Sequence, residues 1–177
     1  MQIDAGLTVL TDFSESINEY SVGAHVYKEL PGGTKLGGFV GSDIFSGSGV
    51  SQTFYNYGVE GITSFGAFDV EASIGGVAID GFSDSIGRAN VDVYFAVTPA
   101  IEISAGVDYL FISGDSLSSY HAAAIYNFQN MPLSIGANYT TSEGSDTFGV
   151  RASYAFGSPT NERLFRNHSY SLFLGGA

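Results

Sequence analysis

Glu60, Asp69, Glu71, Asp92, Glu102 and Asp108 sit at alternate positions of segments whose intervening residues are apolar, and Arg88 and Arg151 share their parity. In an extended chain successive side chains point to opposite faces, so this parity puts all eight on the less apolar face of a sheet. A face with more carboxylates than guanidinium groups carries a negative field that concentrates cations. The same residues could instead pair with one another as an interior polar network. Burying unpaired carboxylates is costly, so water or arginine must reach them in either case.

Catalysis and metal binding find less support. The three histidines are His25, His121 and His168. The first two fall in mid-strand, and no Ser-His-Asp spacing is brought together by a strand register. No histidine has another histidine or a carboxylate two residues away, on its own strand face, so no metal site is expected. With no cysteine in the chain, neither a disulfide framework nor a thiolate site can be built. The glycines around Gly47 to Gly49 lack the lysine of a phosphate loop and suit turns instead. No cofactor is expected, and no enzymatic activity.

The elements that carry these residues show a period of two interrupted about every dozen residues. Ala89, Val91, Val93, Phe95 and Val97 alternate with Arg88, Asn90, Asp92, Tyr94 and Ala96, and Ile101, Ile103, Ala105, Val107, Tyr109 and Phe111 repeat the apolar row. Tyr120, Ala122, Ala124, Tyr126 and Phe128 do the same, as do Leu133 to Tyr139 and Phe148 to Phe156. Earlier rows begin with Ile3, Tyr20, Thr53 and Phe68; between them Leu36, Val40 and Ile44 oppose Phe39 and Phe45, and Leu36 is placed on the apolar face. About ten strands result, with eight to twelve compatible with the pattern. Connections alternate too. Thr11 to Asn18, Asp80 to Gly87 and Ser113 to Ser119 are polar, whereas Leu30 to Gly33, Thr98 to Ala100 and Gln129 to Pro132 hold prolines and are tighter.

Composition decides which face meets what. Charged residues make up 14% of the chain, against about 25% in a soluble domain, and 24 of the 177 residues are glycine. Six basic against 18 acidic residues give a net charge of −12. No basic stripe exists to neutralise phosphates, so nucleic acid is excluded as a partner. No run approaches the 18 or so apolar residues of a spanning helix, so a membrane could be crossed only by closed strands. Ten residues rising about 3.3 Å each at a tilt near 45° span roughly 23 Å, close to the apolar height of a membrane barrel.

The expected fold is therefore all-β, a transmembrane antiparallel up-and-down barrel with its apolar row facing lipid. Glu60, Asp69, Glu71, Arg88, Asp92, Glu102, Asp108 and Arg151 would line its interior. Tyr20, Tyr109, Phe111, Tyr120 and Tyr139 near one rim, and Phe95, Tyr126, Phe128, Tyr154 and Phe156 near the other, would form interfacial belts. Alternation alone fits the opposite arrangement as well, a soluble or secreted β-rich binding or self-assembling protein whose aromatic face is a core or a subunit interface.

The segment Thr147-Phe148-Gly149-Val150-Arg151-Ala152-Ser153-Tyr154-Ala155-Phe156 resembles the terminal strand of small bacterial porin-like outer-membrane barrels, which ends in Tyr-x-Phe. The resemblance implies outer-membrane lipid and the barrel-insertion machinery as partners, with small cations or solutes passing a narrow pore. It also implies a Gram-negative outer membrane as the location, with the short turns and both termini periplasmic. No export signal heads the chain, so it is expected in mature form. Residues 1–156 would be the barrel. Family members commonly stop at the terminal Phe, whereas this chain continues to Ala177. Residues 157–177 would be a periplasmic extension or an additional strand, His168 to Leu174 having some alternation.

Overall fold

A computed structural model describes residues 2–11, 16–47, 50–81, 85–112, 115–142 and 145–156. It contains ten strands: β1 (Gln2–Thr11), β2 (Ser16–Glu29), β3 (Lys35–Gly47), β4 (Val50–Phe65), β5 (Phe68–Ile79), β6 (Ser85–Ala96), β7 (Ile101–Ile112), β8 (Asp115–Asn127), β9 (Leu133–Ser142) and β10 (Ser145–Phe156). Each pairs antiparallel with its sequence neighbours, and β1 pairs with β10 to close the barrel. Closure removes the two open edges that a ten-stranded sheet would otherwise present. The register Ile3↔Phe156 brings the start of β1 against the end of β10, and the residues after Phe156, including the proposed extra strand, lie outside the described ones.

The distribution of side chains is inverted relative to a soluble protein. Among the described residues nineteen polar or charged ones are buried against seven hydrophobic ones, while Val26, Val40, Val59, Ile74 and Val150 are each about 60% exposed or more. A water-facing barrel would do the reverse. The apolar face is therefore the outer surface, and a core or self-assembly role for it is not needed to explain the alternation. β3, whose facing was the least patterned, follows the same rule, with Leu36, Val40 and Ile44 outside and Phe39 and Phe45 inside. The outward row expected of β1 lies outside the described side chains.

Aromatic residues gather near the two rims. At the rim carrying the barrel termini Phe68 packs on Phe95 at 4.8 Å, Tyr126 on Phe128 at 5.0 Å and Tyr154 on Phe156 at 4.7 Å; at the far rim Tyr139 packs on Phe148 at 4.9 Å. Tyr20, Tyr109, Phe111 and Tyr120 are exposed near the far rim as well. Such pairs fix rings against a wall that offers them no core.

Connection lengths depart from expectation. The sequence predicts tight turns at the terminus rim and longer polar loops at the far rim, but the strands run further than the alternation does. β6 begins at Ser85, β8 at Asp115 and β10 at Ser145, so only residues 113–114 separate β7 from β8 and 143–144 separate β9 from β10. At the terminus rim residues 30–34, 97–100 and 128–132 intervene, and only 66–67 form a connection as short. Ser, Asp and Gly favour turns in isolation, yet they continue a ladder when a neighbouring strand presents its backbone groups. At the tight Phe65-Gly66-Ala67-Phe68 hairpin, Gly66 has φ +66°, a value that side-chain-bearing residues seldom adopt.

Candidate functional site in the barrel interior

Strand register explains how inward side chains from non-adjacent strands meet. Asp92 on β6 pairs with Gly106 on β7, which pairs with His121 on β8. With no side chain at Gly106, His121 Nε2 reaches Asp92 Oδ1 at 2.5 Å across the intervening strand. The other ring nitrogen, Nδ1, lies 3.1 Å from Asp108 Oδ2, and Arg88 Nη2 donates to Asp108 Oδ1 at 3.1 Å. Asn90 Nδ2 donates to Asp92 Oδ2 at 2.6 Å, and Ser73 donates to Asn90. β5 to β8 are thereby joined by one polar network inside the wall.

A second cluster repeats the device on the other side. His25 on β2 bonds Glu60 on β4 across β3, with Nδ1 2.8 Å from Oε1, and its ring stacks on Phe39 at 6.2 Å. Phe39 in turn lies over Gly58, its direct partner on β4, where a Cβ would come within 2.9 Å of the ring. Asn56 donates to Asp43, and Ser64 Oγ donates to Asp69 Oδ1 at 2.6 Å.

The expected lining residues all lie on the inner face. Glu60, Asp69, Glu71, Arg88, Asp92, Glu102 and Asp108 are buried, and Arg151 is half-buried. Arg151 Nε donates to Ser153 Oγ at 3.0 Å and one terminal nitrogen approaches Ser21 Oγ at 3.4 Å, away from the Arg88 network. Sequence reasoning missed Glu19 and Asp43, both fully buried, because they fall near the ends of alternations. It placed His25 and His121 in mid-strand without their partners. Those partners are cross-strand, so the two-residue rule along a single strand could not find them. Among the described residues no group of three or more His, Cys, Asp or Glu side chains is arranged to hold a metal ion.

The interior is also graded along its axis. Toward the far rim Phe45, Phe54, Val77 and Leu110 form an apolar cluster, backed by Ile79 and Ile86, with Phe45 and Phe54 edge to face at 5.1 Å. These side chains come from β3 to β7 and occupy one side of the barrel. The carboxylates Glu60, Asp69, Glu71 and Glu102 lie toward the terminus rim.

No protein-family model and no curated protein matches the sequence. Two solved structures of the KdgM porin are similar in shape. One, in complex with disordered oligogalacturonate, gives a TM-score of 0.60 at 10% identity, and the other gives 0.61 at 11%. Each alignment covers 89% of this chain and all of the neighbour. The chain thus has the fold of a porin-like bacterial outer-membrane β-barrel.

Proposed function

We propose that this chain is a Gram-negative outer-membrane barrel that acts as a narrow, cation-preferring pore and has no enzymatic activity. The observation that carries the reading is the charge of the interior: among the described residues eight buried carboxylates face two buried strong cations, Lys35 and Arg88. Even with Arg151 and both interior histidines counted as positive, anionic groups predominate. In a low-dielectric wall such an excess raises cation concentration and opposes anions.

The same sign argues against a polyanionic sugar. The KdgM neighbour is seen with oligogalacturonate, an acidic polymer, and a lining that neutralises such a ligand needs an excess of Arg and Lys. This interior has the opposite balance. The function therefore does not follow the neighbour's ligand, although the fold does.

Outer-membrane lipid is the surrounding partner, and the barrel-insertion machinery reads the β10 strand ending in Tyr154 and Phe156. The rim that carries both ends of the barrel faces the periplasm. Residues 157–177 would follow as a periplasmic extension or an additional strand.

Planar-bilayer reversal potentials test the reading. Replacing Glu60, Glu71 and Glu102 together by Gln removes three interior charges and is expected to weaken the preference for cations over anions. Unchanged selectivity in a folded triple variant would count against these carboxylates as its source.

A further inference from the structure

The inner wall is divided lengthwise. On β3 to β6 the inward positions carry large side chains, among them Phe39, Phe54, Tyr94 and Arg88, and these are buried. On β7 to β10, beside the buried Glu102, Asp108, Leu110 and His121, the inward positions also carry Ser104, Ala123, Ser134, Asn138 and Ser153, and each of these is half-buried and accessible to solvent. Their direction follows from parity, since the intervening Ile103, Ala124, Ile135, Ala137 and Tyr154 make up the outward row of the same strands. Small side chains thus leave accessible space along one wall of the barrel, where the facing wall is filled.

Toward the far rim this wall tightens. Ser119, Thr140 and Thr147 are 1 to 4% exposed. Among the described residues, Ser119 Oγ and Thr140 Oγ1 have no hydrogen-bonding partner within the protein. A buried hydroxyl without a partner is costly, because it has given up its bonds to water and gained none. Proteins meet that cost by holding water at polar sites with several such groups. The two hydroxyls come from adjacent strands. Ser119 is the cross-strand partner of Asp108, and Thr140 that of His121, whose Nδ1 lies 3.1 Å from Asp108 Oδ2. The apolar cluster draws Phe45, Phe54 and Val77 from β3 to β5 and reaches this wall only through Leu110.

We infer that the aqueous path through this barrel is off-centre, running along the β7 to β10 wall and narrowing at the hydroxyls of Ser119 and Thr140, with the β3 to β6 side the more tightly filled. The inference rests on the pore reading for its use by ions, but the position of the water can be tested without conduction. A small cation entering from the terminus rim passes Ser134 and Ser153 and then exchanges part of its hydration for the hydroxyl oxygens. Hydroxyls suit this step because they can replace water oxygens without fixing the ion as tightly as a ring of carboxylates would.

Because the chain has no cysteine, single thiols can be placed without background. Ser134→Cys and Ser153→Cys, both at half-buried positions, sample the proposed path, and Ser73→Cys samples the filled side at a position of the same size that is 8% exposed. The folded full-length variants in lipid bilayers are treated with a small cationic methanethiosulfonate, and heat-modifiable migration on gels confirms that each has folded. Burial in apolar or packed surroundings raises a thiol's pKa and blocks access, so the path thiols are expected to react at least about tenfold faster than the Ser73→Cys thiol. Equal rates, or faster reaction at Ser73→Cys, would overturn the off-centre path. Should Ser153→Cys not fold, Ser104→Cys, also half-buried, takes its place. In conducting barrels, modification at Ser134→Cys is also expected to reduce the current. Fast, wall-specific labelling in barrels that pass no current would uphold the water path and overturn the pore reading instead.

Discussion

His121 and Asp92 bond at 2.5 Å across an entire intervening strand, directly above Gly106. A Cβ built on Gly106 would come within 2.3 Å of Asp92 Oδ1 and 2.5 Å of His121 Nε2, the far ends of both side chains. The glycine is therefore the space through which the contact is made. Gly106→Ala is expected to part the two groups and lower stability by about 1–3 kcal/mol, the usual loss for a hydrogen bond to a charged group or for a buried polar group left unsatisfied. Equilibrium denaturant unfolding in vesicles measures it. Combined with His121→Ala the two losses should be far from additive, because both remove one interaction.

The outer wall gives a second expectation. Val93 and Ala105 are direct partners on β6 and β7, both exposed and near mid-strand. Val93→Arg and Ala105→Arg should each destabilise the barrel by about 2–4 kcal/mol in a bilayer, the cost of a guanidinium near the midplane of the lipid face. Near-neutral values for both, by the same unfolding measurement, would be incompatible with lipid contact at these positions.

A third concerns the end of the chain. The β1 to β10 ladder already closes the barrel between Ile3↔Phe156 and Thr11↔Phe148, so no later residue is needed for the ring of strands. Deleting residues 157–177 is expected to leave a barrel that folds in detergent and keeps its heat-modifiable migration. Loss of folding in the truncated chain, with the full chain folding beside it, would make part of the tail integral to the wall.

The facing of the strands was legible in the sequence because one rule, side-chain parity, sets it, and lipid outside with polar groups inside imposes that rule on every strand. Even β3, where Phe39 and Phe45 compete with Leu36 and Val40 in the pattern, resolves once Gly58 is seen opposite Phe39: the inward aromatic needs a glycine beside it, and the register supplies one. The contacts of His25 with Glu60 and of His121 with Asp92 were not legible. Each spans three strands, and their meeting depends on stagger between hairpins, which single-strand spacing does not encode. Connection lengths were misjudged for a related reason. The turn preference of Asp115 and Ser116 is overridden by ladder pairing, as the Ile112↔Asp115 and Phe111↔Ser116 pairs of β7 and β8 show.

The most direct measurement is the current through purified wild-type barrels in a planar bilayer separating unequal potassium chloride solutions. An interior with more carboxylates than fixed cations should give a reversal potential of the sign set by potassium, shrinking as ionic strength rises and screens the lining. A reversal potential set by chloride, or the absence of current from well-folded barrels, would contradict a cation-preferring pore.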